Sequence, residues 1–277
     1  MNRSGFTTRT PAATAVLAAA AASGLVLAGC GTSSSATTAS TSSSASGQPA
    51  AAGSASAGPA SNGASSNGAS SDGSGTVGTA LFPVTVGNTW VYQEKLNTAA
   101  GTVTNKVISV SPAAGGNKVA MKVQDDLPGL HTGTTTSIFI IHSDGSISVP
   151  VTQAGTTSIR VKSGSVVWPS SAQLASGQPN HDTLVISIKE DGHTSNVTAH
   201  VVVKGEGTQT VRVPAGTYQT TLINETMTEK FAGITVELDI RTWVANGVGP
   251  VKSEVSSNAA GRSVIASVQV LKSFTKG

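Results

Sequence analysis

The stretch Ile234-Thr-Val-Glu-Leu-Asp-Ile-Arg-Thr-Trp-Val244 alternates apolar and polar side chains along most of its length. The apolar positions share one phase: Ile234, Val236, Leu238, Ile240 and Val244. Because side chains of a β-strand point alternately to the two faces of a sheet, this pattern predicts a strand with one buried and one solvated face. The segment from Val119 to Val123 alternates in the same way.

Runs of the same kind occur throughout residues 81–277. The further strand candidates are Thr89–Lys95, Thr102–Val110, Ser137–His142, Ser146–Val151, Thr183–Lys189, Asn196–Lys204, Gln209–Val213, Tyr218–Lys230 and Ser263–Lys272. Turn-forming residues separate them: Asp144-Gly145 and Asp191-Gly192 suit two-residue hairpins, and Gly205-Glu206-Gly207 indicates another turn. Only Ser170–Ala175 predicts a turn of helix. We therefore expect an all-β domain built as a single curved antiparallel sheet or half-barrel meander, with a two-layer β-sandwich as the alternative.

Outside this domain the composition changes abruptly. Of the 50 residues from Gly31 to Ala80, 43 are Ser, Ala, Gly or Thr, and Asp72 carries the only charge. Such a segment cannot bury enough apolar surface to offset the entropy of ordering it. We expect residues 30–80 to form a disordered tether ahead of the domain, which spans residues 81–277.

The first 29 residues have the features of a targeting segment. Arg3 and Arg9 precede an apolar, alanine-rich run that ends in Leu27-Ala28-Gly29-Cys30. This tetrapeptide resembles the lipobox of bacterial lipoproteins. The resemblance implies that residues 1–29 are removed and that Cys30 becomes the lipid-modified first residue, anchored at the extracytoplasmic face of the cell membrane. A soluble secretory signal or an uncleaved anchor is the alternative. Cys30 is the only cysteine, so no intrachain disulfide can form.

Three segments carry a second resemblance, and they are Leu81–Tyr92, Val211–Thr220 and Trp243–Glu254. Together they resemble the bacterial envelope proteins called TapB-like, in which a GxxW strand, a VPAGTF/Y hairpin and a WxAxGVGxVKxE turn occur in this order. The resemblance implies a curved antiparallel sheet similar to that of LolA- and LolB-type lipoprotein carriers. It supplies no catalytic residues, and the near absence of helix here is a departure from those carriers.

Charge and chemistry narrow the possible functions. The net charge is +3 and only 11% of the residues are charged, which argues against nucleic-acid binding. The five histidines are scattered, and no motif indicates a cofactor, a metal site or catalysis. Glu225 and Glu229 are expected on a solvated face, paired with Lys230 and Arg241.

The remaining candidates for a binding site are three aromatic residues. Trp90 and Tyr92 share one face of a predicted strand, where packing in the core is the alternative to contact with a ligand. Trp243 occupies the same alternating positions as the polar side chains of its strand. We therefore expect it on the solvated face unless a β-bulge reverses the direction of its side chain. We expect a non-catalytic binding or scaffolding module whose partner is a hydrophobic small molecule. The alternatives are an assembly lipoprotein that contacts another envelope protein through a sheet edge, and an enzyme acting on wall glycan.

Overall fold

The structure is a computed structural model, and it describes residues 77–78, 81–96, 99–127, 131–149, 159–190, 193–231, 234–259 and 262–277. The predicted targeting segment 1–29, Cys30, nearly all of the tether and the Asp191-Gly192 turn lie outside the described residues. Within the described part of the chain, no helix is long and apolar enough to cross a membrane.

The described chain is almost entirely β-strand. Its elements are β1 (Val77–Gly78), β2 (Pro83–Val84), β3 (Thr89–Leu96), β4 (Ala99–Ala113), β5 (Gly116–Leu127), β6 (His131–His142), β7 (Ile147–Val149), β8 (Ile159–Ser163), β9 (Val166–Trp168), α1 (Ser171–Ser176), β10 (Asn180–Glu190), β11 (His193–Val213), β12 (Gly216–Phe231), β13 (Ile234–Ala245), β14 (Gly249–Ala259) and β15 (Arg262–Thr275). The all-β prediction is confirmed, and the one predicted turn of helix is α1.

Thirteen of the strands form one antiparallel sheet in the order β8-β10-β11-β12-β13-β14-β15-β3-β4-β5-β6-β7-β9, while β1 and β2 pair separately. Consecutive strands are neighbours in two runs, and the last strand, β15, joins these runs by pairing with β3. The sheet therefore remains a single meander with β8 and β9 at its edges. The single-sheet prediction is confirmed, and the two-layer sandwich is not what forms.

One face of the sheet, called the inner face below, supplies the core. Val236, Leu238 and Ile240 of β13 are buried there, while Arg241 points to the exposed face. The strand pattern that predicted the fold thus also predicts which face is buried. The edge strand β9 approaches β10, the strand next to the opposite edge: the backbone N–H of Val167 in β9 donates to Asp182 Oδ2 in β10 at 3.0 Å.

Several strands differ from the prediction. β8 and β9 are not among the predicted strands, and β6 begins at His131, six residues before the predicted Ser137. Gly205-Glu206-Gly207 does not end a strand, because β11 runs continuously from His193 to Val213 with a β-bulge between Gly205 and Thr208. A bulge absorbs the one extra residue of β11 without reversing the chain. The pattern also failed to reveal β14, whose residues Gly249–Ala259 pair with both β13 and β15.

Candidate functional site

Two of the segments that resemble envelope proteins pack against each other, forming what we call the motif junction: residues 82–92 and 248–253. Trp90 Nε1 donates a hydrogen bond to the backbone oxygen of Val248 at 2.6 Å. The Tyr92 hydroxyl donates to the backbone oxygen of Pro250 at 3.0 Å. Since β15 lies between β3 and β14 in the sheet, both side chains reach across it.

Aromatic stacking fills the motif junction. The Phe82 and Trp90 rings are nearly parallel with centroids 5.3 Å apart, and Phe274 stacks on Trp90 at 5.1 Å. Gly249 has a φ of +96°, and a Cβ atom there would lie 3.1 Å from the Phe82 ring. Glycine is required at this position for both reasons. The recurring Trp, Tyr and Gly of the two segments thus have a packing explanation.

The space left beside Trp90 and Tyr92 is small. It measures about 10 Å³, and its walls include Asn105, Ser253 and Gln269. Trp90 is 1% exposed and Tyr92 5%, so both are core residues, and burial raises the pKa of the Tyr92 hydroxyl. A cavity of this size admits a water molecule but no organic ligand. A direct role of these side chains in ligand binding stays a prediction.

Trp243 lies on the opposite face of the sheet from Trp90 and Tyr92. It pairs with Lys252, whose Nζ lies 4.5 Å from the centroid of the indole ring. Its Nε1 donates to Gln209 Oε1 at 3.0 Å. These polar neighbours leave it only 7% exposed although it follows the polar phase of β13. The structure therefore does not bring the three predicted aromatic residues into one site.

A larger cleft lies beside α1, and we call it the helix cleft. Its volume is about 390 Å³. The residues that line it include Leu81, Leu174, Ala175, Gly205, Thr208 and Thr221. None of its described lining residues carries a charge. The volume lies within the range of small-molecule sites, which are mostly apolar with a few polar groups.

The helix cleft arises from the close packing of α1 on the bulge of β11. Leu174 is buried, and its backbone oxygen would lie 2.5 Å from a Cβ atom at Gly205. Any larger residue than glycine would push the helix away. Ser170 caps α1 by accepting from the N–H of Gln173, and Gly177 ends it with a φ of +69°. No sequence motif marked this cleft.

Four acidic side chains are buried on the inner face: Glu94, Asp125, Glu225 and Glu229. The solvated face expected for Glu225 and Glu229 is wrong, since both are 2% exposed. Glu225 accepts a hydrogen bond from Trp168 Nε1 at 3.2 Å. Their position along β12 explains this burial. Glu225 and Glu229 lie two residues before and after Met227, so their side chains point to the same face of the sheet as that of Met227.

The buried acids differ in their surroundings. Glu94 accepts hydrogen bonds from Ser267 Oγ and Gln269 Nε2, each at 2.9 Å. Burial, and then the nearby charge of Glu94, raise the pKa of Asp125 to about 7. Burial alone raises the pKa of Glu229 to about 7. Among the described residues, no group of three or more His, Cys, Asp or Glu side chains is arranged to hold a metal ion.

Two solved protein structures are similar to this fold. It is similar to the crystal structure of a Bacteroides fragilis protein described as exported with a YmcC-like fold. The TM-score is 0.50, with 17% identity over 71% of this chain and 99% of that chain. It is also similar to a Parabacteroides distasonis protein described as a lipoprotein. Here the TM-score is 0.54, with 15% identity over 72% of this chain and 99% of the other. At these identities the likeness shows the fold alone.

No curated protein sequence matches the chain. A family match covers residues 86–268, which include β3 to β14 and the start of β15 as well as most of the motif junction and the helix cleft. This span is more than half of the chain. The protein therefore belongs to the DUF3108-like family.

Proposed function

We propose that the protein is a membrane-anchored, extracytoplasmic lipoprotein whose β domain binds a hydrophobic small molecule in the helix cleft without catalysing a reaction. The helix cleft carries the proposal, because it combines a volume of about 390 Å³ with a wall free of charged side chains among the described residues. An apolar guest loses its contact with water there, which is the main source of affinity for such ligands.

The anchor is the second part of the proposal. Leu27-Ala28-Gly29-Cys30 supports lipid attachment at Cys30, and the two structurally similar proteins are described as exported or as a lipoprotein. The tether of about 50 residues would let the domain move on the order of 40 Å from the membrane. A domain held in this way could exchange a hydrophobic guest with the membrane.

An assembly lipoprotein that contacts another envelope protein is the second candidate. The sheet edge at β8 favours it, since β8 pairs with β10 alone in the sheet, whereas the backbone N–H and oxygen of Val167 at the β9 edge are already bonded to Asp182 and Asn180. An edge strand offers backbone hydrogen-bonding groups to a strand from a partner.

The helix cleft can be tested with a matched pair of variants on α1. Ala175 lines the cleft, whereas Ala172 is exposed on the same helix and does not. The full chain, purified in detergent, would be titrated with a fluorescent long-chain fatty acid. We expect Ala175→Trp to weaken binding at least tenfold and Ala172→Trp to leave it unchanged. Equal affinities of both variants and the parent would exclude the cleft as the binding site.

The anchor has an independent test. We expect Cys30→Ala to abolish metabolic incorporation of labelled fatty acid and to release the protein from washed membranes if its signal is still processed. Label that persists in Cys30→Ala would show that Cys30 is not the attachment site.

A further inference from the structure

The two large apolar side chains that the described part of the chain leaves exposed lie next to each other. Val86 is 54% exposed and Ile108 is 45% exposed. The backbone N–H of Gly87 donates to the backbone oxygen of Val107 at 2.9 Å, and Val86 directly precedes the first residue while Ile108 directly follows the second. Covalent geometry then keeps the Cα atoms of Val86 and Ile108 within about 8 Å of each other. Single exposed apolar side chains need no explanation, whereas contiguous ones are typical of interaction sites.

The backbone around these two side chains is built to present them. Ile108 is the extra residue of a β-bulge in β4, and a bulge leaves such a residue unpaired and redirects its side chain. Val86 stands in the loop between β2 and β3. The backbone N–H of Gly277 donates to Asn88 Oδ1 at 2.8 Å, which holds the exposed Lys276 beside the same loop.

Positive charge flanks this apolar pair. Lys106 precedes Ile108 by two residues and stands directly opposite Lys122 in the register of β4 and β5, and both lysines are exposed. The exposed face of β3, β4 and β5 carries one acid, Asp126, against four lysines, which are Lys95, Lys106, Lys118 and Lys122. None of the four forms an ion pair with another residue that the structure describes. Their charge is therefore available to an anionic partner.

We propose that this surface docks onto an anionic lipid membrane. We call it the docking patch, and it consists of Val86, Lys106, Ile108, Lys122 and Lys276. The lysines bind lipid phosphate groups, and the apolar pair enters the boundary between headgroups and acyl chains. A soluble polyanion would attract the lysines but would not remove the apolar pair from water, so this pair favours a membrane. The inference depends neither on a ligand in the helix cleft nor on a lipid at Cys30.

A fluorophore can report lipid contact at the docking patch. Cys30 is the only cysteine, so the full chain with Cys30→Ser accepts a nitrobenzoxadiazole label at one introduced cysteine. Ser109→Cys places the label beside Ile108, and Thr198→Cys places it on an exposed site of β11 as the control. Vesicles of equal parts phosphatidylglycerol and phosphatidylcholine should brighten and blue-shift the label at position 109 and leave position 198 unchanged. Both chains carry the same apolar segment 12–28, so its own membrane binding cannot produce a difference. An equal response at both positions, or none at position 109, would overturn the proposal.

Paired substitutions then test the charge. Lys106→Gln with Lys122→Gln should raise the lipid concentration needed for half of the response at position 109 about tenfold or more. Lys204→Gln with Lys230→Gln removes the same charge from exposed sites on β11 and β12, and should leave that concentration unchanged. Equal effects of the two pairs would mean that net charge alone governs binding, and would contradict a localised patch.

The apolar pair tests the nature of the partner. Val86→Ser with Ile108→Ser should raise the same lipid concentration about tenfold, because less apolar surface leaves water on docking. Both residues are exposed, so this variant should fold like the parent. If it binds vesicles as the parent does while Lys106→Gln with Lys122→Gln does not, the surface recognises a soluble polyanion and the membrane proposal is wrong.

Discussion

The motif junction and the helix cleft each leave space between described residues, and they are built in opposite ways. The junction is packed with stacked aromatic rings, its Trp90 and Tyr92 donors are both satisfied, and it retains about 10 Å³. The helix cleft has no aromatic residue on its described wall and retains about 390 Å³. The residues that stand out in the sequence therefore build the fold, whereas the space suited to a guest is lined by residues that no motif marks.

The largest effect should come from emptying the motif junction. We expect Trp90→Ala to lower the free energy of unfolding by about 3 to 5 kcal/mol, since it removes a buried indole that Phe82 and Phe274 stack against. Chemical denaturation measures this loss. Ala175→Trp in the helix cleft should change the same free energy by less than about 1 kcal/mol. If the two variants were equally destabilised, the cleft would be as much a part of the core as the junction.

The next effect is a pH dependence of stability, and it comes from Asp125 on β5, two strands away from Tyr92 of the motif junction. The pKa of Asp125 is about 7 in the folded protein against an ordinary value of 3.8, so the folded state binds more protons between these values. The stabilisation is complete below about pH 4 and is lost as the pH rises through 7. We expect Asp125→Asn to reduce the loss of unfolding free energy between pH 5 and pH 8 by about 2 to 3 kcal/mol.

The neighbouring residue supplies the control for this pH effect. Asp126 is exposed on the other face of β5, so Asp126→Asn should leave the pH dependence of stability as it is in the parent. Fatty-acid binding in the helix cleft should be independent of protein ionisation over the same range, because its described lining residues do not titrate. A pH dependence that persists in Asp125→Asn would assign it to other groups, of which Glu229 is the first candidate.

The sequence predicted β3 of the motif junction but missed β14 and the helix cleft, the latter for a physical reason. Period-two alternation is a local property, and β13 follows it from Val236 to Ile240. The helix cleft depends on a bulge at Gly205 and on the approach of the Leu174 carbonyl group, which are a backbone irregularity and a tertiary contact. Hydrophobic periodicity reveals neither of them. Gly205 and Gly207 are as consistent with a turn as with a β-bulge.

Trp90 and Glu225 show two further limits. The hydrogen bond from Trp90 to Val248 joins residues 158 positions apart, and it requires β15 to pair with β3, which local patterns do not reveal. Glu225 was assigned to a solvated face because it is charged, although its phase along β12 matches that of Met227. Phase was the better guide to burial here than residue type.

A smaller effect should be confined to the wall of the helix cleft. Ser170→Ala removes the side-chain cap of a helix of six residues, which should destabilise α1 by about 1 kcal/mol. Amide hydrogen exchange, followed by mass spectrometry, should become faster in residues 171–176 and stay unchanged in β3 and β14. Faster exchange in all three elements would mean that the two regions unfold as one unit.

The smallest effect should come from the outer face, where Trp243 lies outside both regions. Lys252→Met removes the charge 4.5 Å from the indole ring but keeps an apolar chain over it, so we expect a loss of about 0.5 to 1 kcal/mol in unfolding free energy. The ion pair between Lys252 and Glu254 adds little, since both side chains are partly exposed. Lys122→Met, on an exposed site of β5, is the control and should cause no change. A loss as large as that of Trp90→Ala would mean that the Lys252 side chain does more than contact the indole ring of Trp243.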